Sequence, residues 1–166
     1  MPTLRRYDVP IERDVPEVTI LQIADLHLFA GQEFLLHFLS NVASSERFDM
    51  VVATGDNFGS LDAFDMVMDA YRTFLSYPGA FVLGSNDYYS PIPKPWTRYL
   101  MRSTPPPARV VPDLPYLPMV RQMRDAGWVD LSNASGTLSL SGGTVSLLGT
   151  DDAHIFRDRM VAPASS

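Results

Sequence analysis

The sequence predicts an α/β fold built on a parallel sheet with crossover helices. Three short apolar runs alternate with two amphipathic segments of helical spacing in the first half of the chain. This alternation of strands and helices is typical of parallel sheets. The 166 residues, of which 46% are hydrophobic and 19% charged, suffice for one domain with a buried core.

The elements of the first half follow from the spacing of apolar residues. An extended N-terminal segment covers 4–18, and a Pro78-Gly79 turn precedes the third strand. The predicted strands and helices are, in chain order, Thr19–Ala24, Gln32–Ser45, Asp49–Thr54, Leu61–Leu75 and Ala80–Leu83.

A proline-rich segment, residues 88–118, interrupts this pattern and predicts a long loop with one short helix over Trp96–Met101. Pro115 then suits the first turn of a helix that reaches Ala126, and Gly127 suits its C-terminal end. A hairpin turn is predicted at Ser141-Gly142-Gly143. The last strands are predicted at Trp128–Leu131, Thr137–Leu140 and Thr144–Leu148.

The composition excludes several classes of protein. A net charge of -6 argues against a nucleic-acid-binding patch and against binding to anionic membranes, and the absence of cysteine excludes disulfides and thiolate metal sites. No apolar stretch approaches the roughly 20 residues that span a bilayer, and the N-terminus lacks the apolar core of a signal peptide. We therefore expect a cytoplasmic protein.

Two acidic motifs follow the first two predicted strands. Asp25 and His27 come directly after the first strand, and Asp56 follows the second. Because sites form at the carboxyl edge of parallel sheets, and because residues two apart on extended chain face the same side, we expect these side chains to converge. Two carboxylates and an imidazole suit Mn, Fe or Zn. Alone, Asp25 and His27 are as compatible with a helix cap and a hydrogen-bonded strand-end histidine.

The third apolar run ends in Gly84-Ser85-Asn86-Asp87. The ordered set Asp-x-His, Gly-Asp and Gly-Ser-Asn-Asp resembles the calcineurin-like metallophosphoesterases over roughly residues 4–159, in a variant subgroup of that superfamily. The resemblance implies the N-terminal part of a four-layer α/β/β/α sandwich. It also implies a hydrolase that cleaves phosphoesters by attack of an activated, metal-bound water on phosphorus.

The resemblance implies a site for two divalent cations (Mn, Fe or Zn) and assigns ligands to them. Asp25 and His27 correspond to ligands of the first metal, and Asp56 corresponds to the carboxylate that bridges both metals and serves catalysis. Gly55 would let the backbone turn beneath them. Asn57 and Asp87 are further candidates, behind the ligands or against the substrate.

The third motif departs from the family pattern. Aligned without a gap, Ser85 takes the place of the metal-binding Asn and Asn86 that of a catalytic His. With a slip of one residue, Asn86 itself is the ligand and acts in catalysis. We favour the slip, because an amide oxygen binds a hard cation better than a serine hydroxyl. A plain Asn/Asp turn is the alternative. In either alignment the histidine is absent.

A late acidic segment also resembles the subgroup. Gly149-Thr150-Asp151-Asp152-Ala153-His154 follows the last predicted strand. Asp152 and His154 are therefore candidates for residues that contact substrate or orient a ligand. A solvated polar turn is the alternative reading. For Tyr88, Tyr89 and Trp96 we favour packing of the proline-rich loop onto the core over stacking on a substrate.

The family's later histidine motifs have no counterpart in this chain. We therefore expect three parts: an extended segment (1–18), a partial phosphoesterase domain (19–159, with the loop 88–118) and a tail (160–166). The chain would then be truncated, with one metal rather than two as the reduced expectation. The alternative function is an inactive remnant that binds metal weakly or serves as an interaction module. The phosphoester substrate stays unspecified.

Overall fold

The computed structural model describes residues 2–11, 16–91 and 111–162 and has the α/β architecture that the sequence predicts. The predicted helix Trp96–Met101 and most of the proline-rich segment lie outside these residues. Six strands are described: β1 (Ile20–Ile23), β2 (Met50–Ala53), β3 (Gly79–Phe81), β4 (Val129–Asp130), β5 (Ala134–Leu140) and β6 (Gly143–Gly149). The helices are α1 (Glu33–Ser45), α2 (Phe64–Tyr71), α3 (Ser85–Tyr88), α4 (Tyr116–Asp125) and a 3-10 turn at Ala153–Ile155.

Strands β1 to β4 form one parallel sheet in the order β1-β2-β3-β4. Strands β5 and β6 form a separate antiparallel hairpin whose turn begins after Leu140. Each parallel pair is joined through a helix, because parallel neighbours need a crossover connection. The parallel sheet and its helices confirm the predicted fold class.

The central strands β2 and β3 are buried on both faces of the sheet, and their successive side chains point to opposite sides. Val51 and Ala53 face a large core formed with α1, α2 and α4. Met50 and Val52 face a smaller core that the hairpin β5–β6 covers through Leu138. The described residues therefore form three layers: helices, parallel sheet and hairpin.

Four elements differ from the prediction. Strand β5 begins at Ala134 rather than Thr137, and the second helix ends at Tyr71 rather than Leu75. The second helix begins at Phe64 rather than Leu61, and Leu61 is 60% exposed on the turn that precedes it. The one-turn helix α3 and the 3-10 turn were not predicted. Both are too short to show a helical repeat in the sequence, and tertiary contacts rather than propensity hold such turns.

The carboxyl ends of β1, β2 and β3 meet at one edge of the sheet, as parallel pairing requires. Each of these strands is followed by one of the three acidic motifs.

Among the described residues, no helix combines the length and apolar character needed to cross a bilayer.

Candidate metal centre

The loops that leave β1 and β2 stay paired beyond the sheet. The amides of Asp25, His27 and Leu28 donate to the carbonyls of Gly55, Asp56 and Asn57, at 3.1, 3.0 and 2.8 Å. An isolated parallel bridge between Leu28 and Phe58 continues the pairing. The first two motifs are therefore held side by side by backbone hydrogen bonds.

Three residues of these loops adopt left-handed backbone conformations that non-glycine residues rarely take. The φ angles are 54° at Asp25, 42° at His27 and 57° at Asp56. Such conformations cost free energy and cluster at functional sites. The predicted convergence is present, but the reasoning from extended chain was wrong: left-handed turns beyond the strand ends, rather than a β pleat, bring the side chains together.

Asp25, His27 and Asp56 each offer one ligand atom, and these atoms all lie within 4.8 Å of one another. His27 Nε2 lies 4.0 Å from Asp56 Oδ2. Asp25 is exposed, and the other two side chains are half-buried, so the cluster opens to solvent at the sheet edge. Two carboxylates and an imidazole are a donor set that fits Mn, Fe or Zn.

Asn86 lies against this cluster. Its Nδ2 atom is 3.4 Å from His27 Nδ1, and its backbone amide donates to Asp56 Oδ1 at 2.7 Å. The neighbouring Ser85 donates its backbone amide to Asp152 Oδ2 instead. Of the two residues that the third motif left open, Asn86 is the one with a side-chain contact to the cluster.

Asp87 stands behind the cluster as a buried anchor with no solvent exposure. Its carboxylate accepts bonds from the backbone amides of Gly84, Asp56 and Asn57 and from the Asn57 side-chain amide, at 2.8–3.0 Å. Burial raises the pKa of Asp87 to about 6, against these hydrogen bonds, which lower it. Asp87 therefore ties the loop after β3 to the loop after β2.

Asn57 is buried beside Asp87 and has a second partner in the helical layer. The hydroxyl of Tyr71 donates to Asn57 Oδ1 at 2.6 Å. Burial raises the pKa of Tyr71 well above its ordinary value, so the hydroxyl stays protonated as a donor. This pair connects the site to α2.

Two glycines permit the close approach of these loops. Gly55 has φ +88°, and a Cβ there would come within 2.8 Å of the Leu83 carbonyl carbon. A Cβ on Gly84 would come within 2.8 Å of Asp56 N and 2.9 Å of Asp56 Cγ. Only residues without side chains leave room for Asp56 at this crossing.

The late acidic segment reaches the site through Asp152, which accepts the Ser85 amide at 2.6 Å. Asp151 is buried and accepts the hydroxyl of Tyr88 at 2.8 Å. His154 is exposed in the 3-10 turn, where its backbone amide donates to Asp152 Oδ1. The segment therefore packs on α3 rather than forming a solvated turn.

Sequence reasoning missed Tyr71, Tyr88 and Asp151 as contributors to the site. Tyr88 is buried, as the packing role predicted for it requires. Its hydroxyl contact with Asp151 joins residues 63 positions apart, and a single sequence carries no local signal for such a pair.

Comparison with known proteins identifies the family. The model of the calcineurin-like phosphoesterase family matches residues 18–159, most of the chain. The chain belongs to this family. No curated protein matches it. Among solved structures, it is similar to a phosphopantetheinyl hydrolase from Mycobacterium tuberculosis, with 18% identity and a TM-score of 0.43, over 78% of this chain. The chain spans 41% of the length of that protein.

Proposed function

We propose that this calcineurin-like phosphoesterase chain hydrolyses phosphoesters with divalent cations held by Asp25, His27, Asp56 and Asn86. The observation that carries the proposal is the convergence of three ligand atoms within 4.8 Å, at the sheet edge, in a member of this family. The strained backbone at all three residues supports it, because strain of this kind is retained where function requires it.

Each residue has a distinct task in this proposal. Asp56 could serve two cations, because a carboxylate has two oxygens that can each act as a ligand. Its Oδ2 lies 4.0 Å from His27 Nε2, and its Oδ1 accepts the Asn86 backbone amide. His27 supplies an imidazole nitrogen, and Asp25 supplies the most exposed carboxylate. When bound, Mn, Fe or Zn supplies Lewis acidity and lowers the pKa of water at the site.

Asn86 serves as a ligand in this proposal and cannot act as a general acid, because an amide has no proton that it releases near neutral pH. No described histidine other than His27 contacts the cluster. Protonation of the leaving group is typically worth about 10²–10⁴-fold in rate. We therefore propose that esters with acidic leaving groups, such as nitrophenols, are the substrates that this site cleaves best.

A second candidate function is weak metal binding without turnover. Within the described ranges, one group of His, Cys, Asp or Glu side chains has ligand atoms close enough together to bind a metal ion. It consists of Asp25, His27 and Asp56 and so contains a single histidine. A site of this size could hold one cation if water supplied the remaining ligands. This candidate predicts one bound metal ion and no hydrolysis.

Hydrolysis of bis-p-nitrophenyl phosphate with Mn²⁺ separates the two candidates when it is combined with calorimetric titration of Mn²⁺. Asp56→Asn should abolish turnover and lower Mn²⁺ affinity by at least about 100-fold, since changes behind metal ligands alone cost roughly 10–100-fold. The matched control is Asp65→Asn, the same change at an exposed position of α2. Binding without turnover would favour the second candidate. Absence of both from the folded chain would overturn the metal proposal.

A further inference from the structure

Helix α3 is a single turn that carries Asn86, and its position decides where the Asn86 side chain lies. Asn86 departs from helical geometry, with φ -86° and ψ 19°. A turn of four residues has no stability of its own. Asp87 fixes α3 to the loop after β2, which we call its inner side. The contacts that α3 makes with the late acidic segment, on its outer side, therefore decide how rigidly Asn86 faces His27.

The outer contacts come from Asp151 and Asp152, one at each end of α3. Asp152 Oδ2 accepts the backbone amide of Ser85, the first residue of the turn, at 2.6 Å. Asp151 Oδ2 accepts the hydroxyl of Tyr88, the last residue, at 2.8 Å. Because Asp151 and Asp152 are adjacent, the two ends of α3 are held by one short piece of backbone.

Arg157 stabilises the hydrogen bond between Tyr88 and Asp151. Its Nε donates to Asp151 Oδ2 at 3.2 Å, and its guanidinium carbon lies 4.1 Å from the centre of the Tyr88 ring. Arg157 therefore contacts both members of the Tyr88–Asp151 hydrogen bond. Burial raises the pKa of Tyr88, so its hydroxyl is a donor at neutral pH.

Asn133 locks the same segment in place. Its backbone is left-handed, with φ 57°, and its Oδ1 accepts the amides of Asp151 and Arg159 at 3.1 and 2.7 Å. Its Nδ2 donates to the carbonyl of Arg157 at 2.8 Å. Asn133 thus fixes the backbone of the segment from Asp151 to Arg159, and the first two residues of this segment contact α3.

We propose that Asp151 and Arg157 are positioning residues for Asn86, acting through Tyr88 and the turn of α3. The proposal rests on the proposed function in taking Asn86 as a ligand. The physical reason is that two interactions, both partly shielded from water, fix the C-terminal end of α3, which is too short to be stable alone. One is the charge-assisted hydrogen bond from Tyr88 to Asp151, and the other is the Arg157 guanidinium over the Tyr88 ring.

The test compares Arg157→Gln and Tyr88→Phe with Arg124→Gln. Arg124 forms the same kind of arginine–aspartate pair, with Asp130 at 2.7 Å, but makes none of the contacts to α3 described above. Amide hydrogen exchange of Ser85 and Asn86 in the metal-free chain is the first readout. We expect exchange to become about 10-fold faster in Arg157→Gln and Tyr88→Phe and to stay unchanged in Arg124→Gln.

The second readout is the Kd for Mn²⁺, which should rise by roughly 10-fold in both α3 variants, as is typical for residues that orient ligands. Arg157→Lys keeps a cation at this position and should restore most of the affinity. A purely structural role would instead speed exchange equally in β2, at Val51 and Val52. Tyr88→Phe removes one hydroxyl and keeps the ring, so it remains informative if Arg157→Gln does not fold.

The outcomes separate this inference from the proposed function. Unchanged exchange at Asn86, or faster exchange with an unchanged Kd, overturns the positioning role. If the unmodified chain binds no Mn²⁺, the metal proposal fails, and the exchange readout alone decides whether Arg157 holds α3. Local acceleration at α3 with weaker Mn²⁺ binding and rescue by Arg157→Lys establishes the role.

Discussion

Replacing Gly84 by alanine should disrupt the metal centre without changing any ligand. The backbone of Gly84, with φ -109° and ψ 175°, is open to alanine, so the effect is steric alone. The new Cβ would lie 2.9 Å from Asp56 Cγ, whereas ordinary contact begins at 3.4 Å. The Asp56 carboxylate, which accepts the Asn86 amide, must therefore shift by at least about 0.5 Å.

This displacement sets the expected magnitude. Shifts of about 1 Å at a reacting centre can cost roughly 100-fold in rate, and disturbed support of a metal ligand costs roughly 10–100-fold in affinity. We expect Gly84→Ala to bind Mn²⁺ about 10–100-fold more weakly. Overpacking should also lower the free energy of unfolding by about 1–3 kcal/mol.

Calorimetric titration with Mn²⁺ measures the affinity, and urea unfolding followed by circular dichroism measures the stability. Gly142→Ala is the matched control, because Gly142 is exposed in the β5–β6 turn and its nearest neighbour, the exposed Pro16 side chain at 3.2 Å, needs to move by only about 0.2 Å. A folded Gly84→Ala chain with unaltered Mn²⁺ affinity would refute the reasoning, since Asp56 would then not be held where a ligand is needed.

Two further predictions concern the scaffold that supports the site. Tyr71→Phe leaves Asn57 Oδ1 without its buried donor and should lower the free energy of unfolding by about 1–3 kcal/mol. In urea titration, Tyr7→Phe, at a side chain that is 75% exposed, should show no such loss. Gly79→Ala places a Cβ 2.5 Å from Trp128 Nε1 and should cost about 1–3 kcal/mol, with Gly142→Ala again as control. A wild-type unfolding midpoint for Gly79→Ala would contradict the packing argument.

The sheet was predictable because its signals are local. Each apolar run of the first half became a strand within one or two residues, the helical spacing placed α1 closely, and Pro115 and Gly127 placed α4 closely. Helix α2 was overextended because Leu61 fits the apolar period while lying on an exposed turn. Periodicity reports which residues suit a helix, and it does not report where the preceding loop stops.

The candidate site was predictable only in its ligand types. Asp25, His27 and Asp56 were named from their place after strands, and the structure brings their ligand atoms together. Their left-handed backbone was not predictable, because aspartate and histidine, although enriched among non-glycine residues at positive φ, adopt it at only a small minority of positions. Tertiary hydrogen bonds between the two loops stabilise it, and those bonds exist only after the sheet has formed.

The long-range support of the site follows the same logic. Asp152 reaches Ser85 across 67 residues and Asp151 reaches Tyr88 across 63, so neither pairing leaves a trace in local sequence. These contacts join the last described segment to the turn that bears Asn86. Formation of the complete site therefore depends on docking of this segment, even though Asp25, His27 and Asp56 all lie in the first half of the chain. A metal centre assembled in this way couples ligand geometry to the packing of residues 151–159. For that reason we expect its affinity to respond to substitutions that touch no ligand.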